Sequence, residues 1–217
     1  MKPFGANARL IDAARGLTLS GHELAARILV MENELREMPA GLVLLSAPWT
    51  IDTVCRYLAA FRQHRPLALL DPEIEPETLA ELIARFEPAG LWQPGIEGLA
   101  PAGYRNDAYG WIRQTTAAAV HPDLALLLST SGSTGAARMV RLSRGAVLAN
   151  AAAIVRALGI TPQEIAPTSL PFHLGYGLSV LNSHLLAGAT VVVSAHHVIG
   201  PDFWAAVDTY RATSFAA

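Results

Sequence analysis

Leu124 to Ser143 reads LALLLSTSGSTGAARMVRLS, an apolar run that opens into a loop of hydroxyls and glycines and then into a second short apolar segment. The loop has the chemistry of an anion cradle. Ser129, Thr130, Ser131, Ser133 and Thr134 supply hydroxyl donors, Gly132 and Gly135 let the backbone approach an anion closely, and Arg138 follows with a positive charge. It is not a P-loop, because Gly135 is followed by Ala136, Ala137 and Arg138, not by Lys and then Ser or Thr. A flexible linker has a similar composition, but linkers join polar segments. This loop is pinned between a strand from Leu124 to Leu128 and another from Met139 to Leu142. Next, Ser143 precedes an Ala/Val/Leu/Ile-rich segment, Arg144 to Leu158, closed by Gly159, with Pro162 beyond, so a capped helix is expected. The loop therefore joins two strands, and a triphosphate held there would rest on loop amides and hydroxyls more than on a helix dipole.

Outward from this stretch, the pattern alternates. Helices are expected over 20–38, 51–64, 77–86, 144–158, 178–186 and 202–210, with strands at 42–45 and 67–70 and shorter ones at Leu91, Leu124, Met139, Thr168, Thr190 and Thr213. Buried strands alternating with helices imply an α/β protein with layered, mostly parallel sheets flanked by helices. Gln93 to Tyr109, rich in Gly, Pro and Ala, reads as a surface loop or subdomain boundary, and sublayers 1–110 and 111–217 are the expected internal division.

Two motifs in order resemble a family. STSGSTG followed by a cation, and then SLPFHLGYGLSVLNSHLLAGATVVV from Ser169 to Val193, are similar to consecutive segments of the adenylate-forming (AMP-binding) enzymes, among them acyl-CoA synthetases and acyl-AMP ligases. Weaker similarity covers RLIDAARGLTLSGHELAARI and PLALLDPEIEPETLAELIARFEPAGLW, so the resemblance spans nearly the whole chain. It implies ATP-dependent activation of a carboxylic acid to an acyl adenylate, followed by transfer to a thiol, either coenzyme A or the phosphopantetheine of an acyl carrier protein, with Mg2+ at the phosphates. The implied assignments are Arg138 as catalytic, Thr130, Ser131, Gly132, Ser133, Thr134 and Gly135 for the phosphates, and His173, Gly175, Tyr176 and Gly177 along the acid-binding side.

The chain also departs from the pattern. Ala137, Arg138 and Met139 stand where the family usually has Pro-Lys-Gly, and Arg144 stands where a His commonly follows the Ser. Arg for Lys keeps the charge and changes a compact ammonium into a planar fork. Family members are a good deal longer and end in a mobile domain, so residues 1–217 are expected to be the N-terminal portion of an AMP-binding domain, inactive by itself. The alternatives are a short non-catalytic relative that binds nucleotide or a partner, and one half of a split enzyme. An α-amino acid substrate would need a buried carboxylate for its ammonium, and no acidic residue lies between Glu164 and Asp202, which favours a fatty or aryl acid.

Composition narrows the classes further. Hydrophobic residues make up 52% and charged residues 16%, and the net charge of -2 gives no reason to expect nucleic acid or an anionic membrane as partner. The stretch 165–201 is free of acidic and basic residues other than histidine, but prolines, glycines and Asn182 break it, so buried core is expected and not a membrane span. Cys55 lies in an apolar helical pattern and reads as a buried structural thiol. Adjacent His196 and His197 would point to opposite faces of a strand, so no metal is expected there. The amino terminus lacks an apolar core flanked by basic residues, and a cytoplasmic protein is expected.

Overall fold

The apolar runs become strands buried on both faces. In the computed structural model, which describes residues 4–93, 98–129, 139–196 and 198–216, β1 (Arg9–Asp12) and β2 (Thr18–Ser20) precede α1 (Gly21–Arg36). Then come β3 (Val43–Ser46), α2 (Ile51–Arg62), β4 (Leu67–Leu70), α3 (Pro76–Phe86), β5 (Gly90–Trp92), β6 (Tyr104–Asp107) and β7 (Gly110–Arg113). The remainder is β8 (Leu124–Ser129), β9 (Met139–Ser143), α4 (Arg144–Leu158), β10 (Ile165–Pro167), α5 (Gly175–Ala187), β11 (Thr190–Val193) and α6 (Pro201–Tyr210). One sheet runs β6-β7-β5-β3-β4-β8-β9 and the other β10-β11-β1-β2. Strands β5, β3, β4 and β8 are mutually parallel, while β7, β6 and β9 are added antiparallel at the edges. In the smaller sheet, β11 is parallel to both β1 and β10. Both sheets take strands from both sides of residue 110.

Strand periodicity places the helices. Val43, Leu45, Leu67, Leu69, Leu126 and Leu128 join one core with Leu24, Ile28, Val54, Leu58, Leu178, Leu181, Leu10 and Val191, so the mostly buried α2 and α5 lie between the two sheets and α1 adds one buried stripe to the same core. The alternate residues Leu44, Ala68, Leu70, Leu91 and Leu127 pack on the other face with Leu82 of α3. Two polar caps start helices as the sequence indicates. Thr50 accepts from Thr53 N at 3.1 Å to open α2, and Ser143 accepts from Ala146 N at 3.1 Å to open α4, which closes at Gly159 with φ 65.

Several expectations need correction. The segment 93–109 is not all loop: β6 forms a hairpin with β7, and its exposed Arg105 and Asn106 hid the strand from a reading based on apolar alternation. The short strands β1 and β2 were also not expected. The strand placed at Thr168 ends at Pro167, and Thr168 instead donates to Ser194 O at 2.8 Å and accepts from Ser194 N at 2.9 Å. No strand forms at Thr213 among the described residues, although its N–H donates to Ile165 O at 2.9 Å beside β10. Helix α5 begins three residues earlier than expected, at Gly175. The charge-free stretch is packed interior: Leu178, Leu181, Leu185 and Val191 to Val193 are buried, and no helix among the described residues is long and apolar enough to cross a membrane.

Cys55 is fully buried on α2, and burial pushes its thiol up to about 12. The expected result with an aromatic disulfide reagent at pH 8 is no reaction in the native chain and one equivalent after unfolding in guanidinium. Prompt native labelling would refute the packing assigned to α2.

Candidate functional site

The carboxyl ends of the parallel strands share one edge of the larger sheet. There β8 ends at Ser129, which is half-buried and paired with Met139, so the nine-residue hydroxyl and glycine segment is the connection between antiparallel β8 and β9. Its residues Thr130, Ser131, Gly132, Ser133, Thr134, Gly135 and Arg138 lie outside the described residues. The neighbouring strand β4, in register Leu69 to Leu128, delivers Asp71 to the same edge, and β3 delivers Pro48 and Trp49. In open α/β sheets such an edge is where ligands bind.

The turn that leads into α5 brings the residues that the resemblance assigns to the acid to this edge. Phe172 is buried, with its ring 6.4 Å from that of Trp49. His173 is 8% exposed and points Nε2 at Asp71, 3.6 Å from Oδ2, which is ion-pair range and too long for a hydrogen bond. Burial lowers the pKa of His173 and the Asp71 charge opposes the shift. Its other nitrogen, Nδ1, is buried with no partner. Leu174 opens α5 without a side-chain cap, leaving the first-turn amides of Gly175, Tyr176 and Gly177 uncapped. Gly175 and Tyr176 are exposed, and a Cβ on Gly175 would meet nothing within 4 Å. Gly177 is the opposite case: a Cβ there would lie 2.2 Å from Pro171 O, so the helix can seat on this turn only with glycine at that position. Ser179 donates to Gly175 O at 2.7 Å and accepts from Asn150 Nδ2 at 3.1 Å, which ties the same turn to α4.

His173, Gly175, Tyr176 and Gly177 thus lie together at the start of α5, with His173 facing the sheet edge and Tyr176 exposed. Sequence reading missed their anchors, Asp71, Trp49 and Phe172. The available signal was the Asp-Pro pair that directly follows the buried run LALL. Arg144 has a structural place of its own: it lies 4.2 Å over the Phe61 ring and donates to Phe61 O, at the opposite end of β8 from the loop. A crevice of about 680 Å³ opens at the carboxyl ends of β1, β3 and β11, with Trp49, Arg56, Ser194 and the bidentate Arg27–Asp52 pair among its walls. Among the described residues no group of three His, Cys, Asp or Glu could hold a metal. His196 lies 3.8 Å from Asp202, and His197 is outside the described residues.

Two sheets enclosing a helix layer, with a hydroxyl and glycine connection at the carboxyl edge of the larger one, define the class of adenylate-forming enzymes. A family model described as AMP-binding enzyme matches residues 6–217, and the chain belongs to that family. Its fold is similar to that of ATP-bound MatB from Rhodopseudomonas palustris, at 23% identity and TM-score 0.76 over 97% of this chain and 46% of that one. It is also similar to MenE, the O-succinylbenzoate coenzyme A synthetase from Bacillus subtilis in complex with AMP, at 19% identity and TM-score 0.73 over 96% of this chain and 57% of that one. CmiS6 matches at 24% identity and TM-score 0.74 over 99% of this chain and 55% of that one. The chain spans about half the length of these proteins.

Proposed function

We propose that this chain carries the phosphate-facing and acid-facing parts of an enzyme that converts a carboxylic acid to an acyl adenylate with ATP and then passes the acyl group to a thiol. The acid's carboxylate oxygen attacks the α-phosphorus and pyrophosphate leaves; the thiol then attacks the acyl carbon and AMP leaves. Thr130, Ser131, Gly132, Ser133, Thr134 and Gly135 would hold the β- and γ-phosphates, and Arg138 would offset charge developing on the leaving pyrophosphate. Mg2+ would bind with those phosphates, the habit of an ion that keeps its waters and needs no protein cage. His173, Gly175, Tyr176 and Gly177 would line the acid. Coenzyme A or a carrier-protein phosphopantetheine is the acceptor in this reading, and a cytoplasmic setting suits both.

The observation that carries the proposal is the family match, which spans both the loop and the α5 turn. Support for one shared site comes from the fold, since Asp71 beside His173 directly follows β4, the strand next to β8. The lack of any acidic residue between Glu164 and Asp202 supports a fatty or aryl acid over an amino acid. Acid-dependent ATP–pyrophosphate exchange is the test. Residues 1–217 by themselves are expected to show none. Joined to the remaining length that the structural relatives have, the chain is expected to exchange, with Arg138→Ala about 10²–10³ slower. Exchange that ignores the acid, or its absence from the joined protein, sinks the proposal and favours a non-catalytic nucleotide or partner binder.

A further inference from the structure

The turn 171–174 belongs by connectivity to the smaller sheet, since it leads from β10 through α5 to β11, yet its contacts reach across to the larger one. Two contacts make the crossing: the Phe172 ring against Trp49, which follows β3, and His173 against Asp71, which follows β4. The Asp71 side chain is 53% exposed, and Glu73 N donates to its Oδ1 at 3.0 Å, so the carboxylate is held in place from its own loop while Oδ2 faces the imidazole. Trp49 and Phe172, the aromatic neighbours on this side, do not titrate. Among the described residues Asp71 supplies the charge that acts on His173.

We propose that Asp71 is the positioning residue of the acid-facing turn: its carboxylate at the end of β4 pairs with the His173 imidazolium and draws it, and with it the start of α5, toward the larger sheet. The inference rests on the acid-facing reading of that turn. By opposing burial, the carboxylate lets His173 take a proton closer to neutral pH than burial alone allows, and a protonated imidazole donates to an acid's carboxylate. The sign follows from linkage. The unfolded chain takes the proton first, so the contribution of His173 to stability is complete above the ordinary imidazole value and is lost as pH falls toward the lowered one.

The test is histidine NMR on the 217-residue chain, with the His173 resonance assigned through His173→Gln. Titration of His173 below the ordinary imidazole value is expected in the unaltered chain. Asp71→Asn should lower it further and Asp71→Glu should restore it, with amide shifts confined to the turn 171–177 and to the neighbours of Asp71 because the Asp71 side chain is largely exposed. An unchanged His173 titration in Asp71→Asn overturns the proposal. Benzoate, added as a probe carboxylate, separates the two readings. If benzoate leaves His173 unmoved while Asp71→Asn still lowers its titration, the pair stands and the acid-facing assignment fails. If benzoate shifts His173 in both chains and Asp71→Asn leaves its titration unchanged, acid binding stands and Asp71 has no positioning role.

Discussion

Gly177→Ala is expected to destabilise the chain by about 3 kcal/mol, whereas Gly175→Ala, two residues earlier on the same helix, is expected to be neutral or to stabilise it by up to roughly 1 kcal/mol. The two glycines differ only in surroundings. A Cβ on Gly177 would sit 2.2 Å from Pro171 O and 2.8 Å from Leu170 O, and both obstacles are backbone, which no rotamer change can clear. To admit it, α5 must lift from the turn, and the contacts of Phe172 and His173 go with it. A Cβ on Gly175 points into open space and gains the helical preference of alanine over glycine. Urea midpoints of the two variants, read at unchanged slope, decide the matter. Equal midpoints would mean that α5 does not sit on this turn as described.

The second large effect lies under α1. Glu34 Oε2 accepts the indole N–H of Trp92 at 2.7 Å and lies 3.5 Å from Arg56 Nη2, while the Arg56 guanidinium also lies 5.5 Å from the Trp92 ring centroid. Trp92 is fully buried, Arg56 nearly so, and burial lowers the pKa of Arg56 despite the Glu34 charge. Glu34→Leu strands a buried cation and a buried indole donor together, and the expected loss is about 3–5 kcal/mol. Glu34→Gln keeps an acceptor for the indole and should fall between. Adding Arg56→Met to Glu34→Leu should recover most of the loss, because the cost comes from the uncompensated charge and not from the missing pair. If the double variant is no more stable than Glu34→Leu alone, the carboxylate does not compensate Arg56 and the prediction is wrong.

These two sites show where sequence reading works and where it stops. The boundaries of β4 and α4 match the expected ones, because an uninterrupted LALL run and a Ser143-to-Gly159 frame are local signals that the tertiary context did not override. The strand-loop-strand order around the hydroxyls was legible for the same reason. The roles of the two glycines were not legible. Both belong to the same Gly-aromatic-Gly motif, and only the position of the Pro171 carbonyl tells a required glycine from a replaceable one. Short strands such as β1 and β6 carry too few residues to declare a period, and partners distant in the chain identify them.

By itself, the sequence determined the α/β class, the family, and the order of the hydroxyl loop and the Pro-Phe-His turn, since these depend on local periodicity, caps and motif spacing. Tertiary structure alone decided that β1 closes onto β11, that Arg144 stacks on Phe61 away from the loop, and that Asp71 meets His173. Contacts of that kind arise when separate strands reach a common sheet edge, and the geometry of that edge is a property of the packed layers that no single segment contains.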